Sequence, residues 1–140
     1  ASFGLRRRTG YLLHEAGQYT EARAHNLALL HDIETTLGAD DALLVIVLIN
    51  LAQNHYELRE FGLAQDRLTR CLTIATTQTD HWAIDQTLFQ LGVLSHEQGD
   101  QDAARDYFER RLTHAQACEN DDFIEQAQQS LLEWQARLRT

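Results

Sequence analysis

Seven histidines, two cysteines and three serines are the side chains of this 140-residue sequence that offer metal-binding or nucleophilic chemistry. His14-Glu15 and His96-Glu97 each open like the H-E-x-x-H zinc motif, but Gln18 and Asp100 stand where its second histidine belongs, so a metal would lack its ligands. His114 and Cys118 lie four apart on one helical face. Tetrahedral zinc would need two further ligands, which the neighbouring sequence does not supply. Ser2, Ser95 and Ser130 have no obvious base, and there is no G-x-S-x-G, phosphate-cradling glycine loop or G-x-G-x-x-G. Catalytic, cofactor-binding and metal residues are therefore all expected to be none. Arg6, Arg7 and Arg8 form the one basic cluster; a triple arginine can grip phosphate or carboxylate, but a solvated helix face or the edge left by a missing upstream repeat explains it as well.

The elements that carry these residues are expected to be helices. There is no proline, only seven glycines, and few β-branched residues outside Val45 to Ile49, so helix propensity is high throughout. Apolar residues at Leu88, Leu91, Val93 and Leu94 recur at helical spacing up to Gly99-Asp100. A second pattern then carries Ala104, Phe108 and Leu112, which makes a helical hairpin. Expected helices run from about Ser2 to Ala16, from a Thr20 cap to Leu37 before Gly38, from an Asp40-Asp41 cap to Leu58, from Phe61 to Thr77, from a Thr79-Asp80 cap onward, from Ala103 to Cys118, and from an Asn120-Asp121 cap to Arg139. The run ALLVIVLIN is apolar on every side, so its helix is either buried all round or offers a face at Val45, Ile46 and Ile49 to another chain. Every connection is short, and one domain over residues 1–140 is expected.

The hairpin repeats. A 40-residue step back places Leu51-Ala52 on Leu91-Gly92, Ala64 on Ala104, Leu68 on Phe108 and Leu72 on Leu112. A further 42-residue step places Gly10 on Ala52, Gly17 on Arg59 and Ala22 on Ala64. A Leu-Gly pair seven residues before a turn glycine, followed by an Ala and a Phe four apart, resembles the tetratricopeptide repeat. The long repeat and the Glu34 to Ala42 connector are similar to those of kinesin light chains and many bacterial regulators. The resemblance implies a right-handed α-α superhelix of three hairpins, at about 2–37, 40–77 and 80–118, closed by a capping helix at about 121–139.

It also implies that the first helix of each hairpin lines a concave groove. That stripe comprises Arg7 and Tyr11, then Ile46, Ile49, Asn50, Gln53, Tyr56 and Glu57, then Gln86, Phe89, Gln90, Val93 and Glu97. Amides both donate and accept, so Asn50, Gln53 and Gln90 suit a peptide backbone, while Ile49 and Phe89 would take its apolar side chains. Glu15, Glu57 and Glu97 fall at equivalent places and favour a basic ligand. Family members that hold a chaperone's C-terminal carboxylate use a clamp of Lys, Asn, Asn, Lys and Arg. Here Asn50 matches one Asn and Arg7 stands for the first Lys, but Tyr11, Phe89 and Val93 replace the others, so that ligand is not expected. His55 takes a slot where the family packs an aromatic, and Cys71 reads as core.

The implied function is a protein- or peptide-interaction module, not an enzyme; self-association as a homodimer and a peptide-sensing regulatory domain of a larger bacterial protein are the alternatives. A net charge of −9 argues against a nucleic-acid partner. The longest apolar run, Ala42 to Ile49, is far short of the roughly 20 residues that span a bilayer, so no membrane partner is expected. Two cysteines fit a reducing compartment, and the expected location is cytoplasmic.

Overall fold

Helical periodicity and the absence of proline give seven helices and no strand in the computed structural model, which describes all 140 residues. They are α1 (Phe3–Glu15), α2 (Tyr19–Leu37), α3 (Leu44–Glu57), α4 (Phe61–Gln78), α5 (His81–Glu97), α6 (Gln101–Ala117) and α7 (Asp121–Leu138). Polar caps set several starts: Ser2 accepts from the Leu5 amide, Asp100 from Ala103, and Asn120 from Phe123. Three expected starts shift. Helix α6 begins at Gln101 rather than Ala103. The Asp41 carboxylate accepts from the Leu43 amide at 2.9 Å, a local turn that competes with the helix, so α3 begins at Leu44. Gln18 holds the N-cap position of α2 without a side-chain capping bond, and Thr20 lies inside the helix.

The turns repeat with the sequence. Gly17, Arg59 and Gly99 hold φ of 79°, 61° and 79°. Their amides donate to His14, Tyr56 and His96 carbonyls, and the next amides, of Gln18, Glu60 and Asp100, reach back to Leu13, His55 and Ser95. Thr79 and Glu119, at φ of 53° and 54°, close a second recurring turn; their amides donate to Thr76 and Gln116. Left-handed backbone costs a non-glycine residue about 1 kcal/mol. At Arg59 the guanidinium lies 5.1 Å over the Phe61 ring.

The chain forms two compact units, Ala1–Ala83 and Ile84–Thr140, which divide within α5. In the first, α1 packs on α2, α2 on α3 and α3 on α4, and α1 also touches α3. Helix α3 is its centre: Leu44, Val45, Val47, Leu48, Ile49, Leu51 and Ala52 are all buried, as are Leu29, Leu30 and Ile33 of α2 and Leu68, Cys71 and Ile74 of α4. The apolar run is therefore core, and the expectation that Val45 and Ile49 offer surplus surface is corrected, since they are only 2% and 4% exposed. Ile46 alone is half-buried. Cys71 is core as expected, and its thiol donates to the Val45 carbonyl.

In the second unit α6 packs on α7, and Phe89, Val93 and Leu131 surround the buried cluster of Ala104, Phe108 and Trp134. Phe108 meets the Trp134 ring at 5.7 Å and Phe89 at 6.4 Å between centroids. The Trp134 indole N–H donates to Gln101 Oε1 at 2.9 Å, so its polar handle is satisfied. Along the apolar stripe of α7, Ala127 and Trp134 are buried, Phe123, Ile124 and Leu131 half-buried, and Leu138 exposed.

Gly92 of α5 lies directly against the Phe108 ring of α6. A Cβ there would stand 2.6–2.8 Å from three atoms of the Phe108 ring. Gly92→Ala gains about 1 kcal/mol of helix propensity but forces the ring off its packing, which costs about 1–3 kcal/mol. Phe108 is held between Phe89 and Trp134, so the clash should win and lower the urea midpoint. In a Phe108→Leu background the same change should be neutral or stabilising; a Gly92→Ala protein as stable as the parent would show that the ring moves freely.

Candidate functional site

Two polar networks cross the first unit. Asn26 Nδ2 donates to Asn54 Oδ1 at 2.7 Å, and Asn54 Nδ2 donates to His14 Nδ1 at 2.8 Å. An accepting Nδ1 puts the ring proton of His14 on Nε2. Asn26 and Asn54 are both buried. Gly10 leaves room for them, because a Cβ at that position would collide with the Asn26 amide. In the second network Arg23 Nη1 reaches both carboxylate oxygens of Glu60 at 2.8 Å, and His55 Nδ1 lies 3.0 Å from Glu60 Oε1. The hydrogen bond from His55, and after it that from Arg23, hold the Glu60 carboxyl below its usual range. His55 is buried, and its Nε2 has no partner. Both networks join helices, which accounts for His14 and His55 without chemistry.

Of the expected groove residues in this unit, Arg7, Tyr11 and Glu57 are exposed and Ile46, Asn50, Gln53 and Tyr56 half-buried. Ile49 is in the core, so the structure corrects its assignment as an anchor for a ligand. Tyr56 packs its ring 5.7 Å from Phe61.

The second unit holds a built cleft. An open depression of about 280 Å³ between α5 and α7 is lined by Gln86, Phe89, Arg111, Gln126, Gln129, Ser130 and Glu133. Its floor is ionic. Arg111 Nε and Nη2 donate to the two Asp85 oxygens at 2.9 and 3.1 Å, Nη1 donates to Ser130 Oγ at 2.8 Å, and the guanidinium lies 4.7 Å over the Phe89 ring. The two charged side chains are 5% and 0% exposed. A planar fork of this kind fixes three helices at once, because Asp85 belongs to α5, Arg111 to α6 and Ser130 to α7. At the rim Gln129 donates to Glu133 Oε1 at 3.1 Å.

Gln86 and Phe89 are thus the expected groove residues that the structure brings together. Val93 is half-buried and packs on the Phe108 cluster, and it does not line the cleft. Gln90 is half-buried and Glu97 exposed, and neither lines the cleft. Ser130 serves Arg111 and the carbonyls of Gln126 and Ala127. His114 Nε2, on α6, and Cys118 Sγ, at its C-cap, sit 3.5 Å apart.

Sequence reasoning missed Asp85 and Arg111. A signal existed: the buried stripe of α6 runs Ala104, Phe108, Arg111, Ala115, so a charge interrupts an apolar face, whereas the expected stripe ran through Leu112, which is only half-buried. Asp85 interrupts α5 in the same way, between Ala83 and Leu88. Two opposite charges on apolar stripes of adjacent helices must pair, because a lone buried charge is prohibitively costly.

No protein-family profile matches the chain. No curated protein matches it either. A solved structure does: the crystal structure of BtubC (BKLC) from P. vanneervenii superposes with a TM-score of 0.84 at 19% identity, covering 92% of this chain and 53% of that one. The chain spans about half the length of that neighbour. The fold is accordingly all-α, of the tetratricopeptide-like helical-repeat type. No helix is long and apolar enough to cross a membrane.

Proposed function

We propose that this chain is a protein-interaction module that binds a segment of another protein, without catalysis, metal or cofactor. The observation that carries the reading is the α5–α7 cleft, where three glutamine amides and an aromatic ring converge over a rigid ionic floor. Such amides can pair with a peptide backbone of any sequence. In the first unit Asn50, Gln53 and Tyr56 offer the same chemistry on α3. The helical-repeat fold supports the reading, since repeats present side chains of successive helices to a ligand. A cytoplasmic location is proposed with it, on two cysteines that form no disulfide.

The test begins with a partner captured from lysate and purified. Its affinity is then measured for Gln126→Ala and Asn50→Ala, side chains away from the core, unlike Phe89, which also packs on Phe108. Each cleft or groove contact should weaken binding several-fold while circular dichroism stays unchanged. If both variants bind as the parent does, the groove is not the site. Self-association is the second reading. Leu5 and Leu12, seven residues apart on one face of α1, are 58% and 52% exposed. A concentration-independent dimer by light scattering, dissociated by Leu12→Glu, would favour it.

A further inference from the structure

We propose that the α5–α7 cleft selects an extended segment carrying lysine or arginine, an inference that rests on the peptide-binding reading above and adds the chemical class of its ligand. The floor rejects anions. Arg111 is neutralised by Asp85 through two hydrogen bonds and donates a third to Ser130, so its guanidinium has no net charge to offer a carboxylate or phosphate. The remaining charge of the lining is Glu133, at the rim, and Gln129 orients it by donating to Oε1, which leaves Oε2 for an incoming cation. The wider field has the same sign, since residues 84–140 hold eleven Asp and Glu against five Arg. Long-range attraction of a basic segment follows.

The geometry of the lining then sorts the rest of the ligand. Gln86, Gln126 and Gln129 line the two walls. Gln86 Nε2 donates one hydrogen to Asp85 Oδ2 at 3.4 Å and Gln129 one to Glu133, so each still has an amide oxygen to accept a peptide N–H and a hydrogen to donate to a peptide carbonyl. Phe89 has one face covered by the Arg111 guanidinium. Its open edge is apolar, and the methylene stem of a lysine or arginine can lie along it while the charged head reaches Glu133. An acidic or small apolar residue has no such pair of contacts. The amides therefore hold the backbone, and the step from Phe89 to Glu133 reads the side chain.

The decisive experiment titrates the isotope-labelled 140-residue chain with three blocked hexapeptides, alternating Ala with Lys, Gln or Glu, and follows the side-chain amide signals of Gln86, Gln126 and Gln129. The Lys peptide should move all three. Glu133→Gln should weaken it about three- to fivefold, the scale of one exposed ion pair, and Glu109→Gln, on the exposed surface of α6, should not. The Glu peptide should leave the signals in place, and added salt should weaken the Lys peptide. If Lys, Gln and Glu peptides shift the amides equally, the cleft binds peptides but the basic preference falls. Equal weakening by Glu109→Gln would likewise overturn it by reducing the attraction to net charge. If no peptide moves these amides, the cleft is not a peptide site, and the underlying reading falls with the proposal.

Discussion

Arg111→Ala should destabilise residues 84–140 by about 3–5 kcal/mol, the scale seen when one partner of a buried ion pair is removed and the other is left charged and dry. Asp85 is fully buried, with both oxygens bonded to Arg111. Its carboxylate would have to protonate or draw in water. The loss also strips the cation from the Phe89 ring and the donor from Ser130. Urea unfolding followed by Trp134 fluorescence, in a Trp82→Phe background, measures it. The double variant Asp85→Leu, Arg111→Met should recover most of the stability, because paired desolvation disappears with both charges. A single variant within 1 kcal/mol of the parent would mean that water already reaches the pair.

Deleting residues 121–140 should have the larger effect and unfold α5 and α6. Losing Trp134 alone corresponds to a Trp→Ala core change of about 3–5 kcal/mol. Ala127 and Leu131 leave with it, Phe108 and Phe89 lose their cover, and Arg111 loses Ser130. What remains beyond the first unit is a hairpin of two 17-residue helices with one side of its core exposed, and such pairs are marginal in water. Hydrogen exchange should show amide protection in α6 collapsing. Retained protection would make α7 an appendage rather than a cap.

The hairpins were legible because two local signals coincide: apolar residues at helical spacing, and a break where only left-handed backbone closes the turn. Arg59 fell opposite Gly17 and Gly99 in the sequence steps, and its backbone does what theirs does. Helix starts were less legible where Asp41 could bond locally instead of capping. The site was half legible. Gln86 and Phe89 followed from repeat position, but the glutamines opposite them on α7 join the cleft only through packing between α5 and α7. Burial of Ile49 could not be read locally either, since an apolar residue on a helix looks the same whether its neighbour is another helix or a ligand. Asp85 and Arg111 lie 26 residues apart, and only their placement on apolar stripes hinted at a pairing.

The recurring turns have a kinetic consequence. Each joins helices that are neighbours in sequence, and the most extensively packed pairs, α1 with α2, α2 with α3, α3 with α4, and α6 with α7, are consecutive, with α1 on α3 a minor exception. Closing such contacts costs little chain entropy, because the loops are only a few residues long. Search time is short when partners are local, and helical domains of this contact pattern fold in microseconds to milliseconds. The slow step would then lie in seating long-range pairs such as Arg111 with Asp85, whose charges must give up water before their bond can replace it.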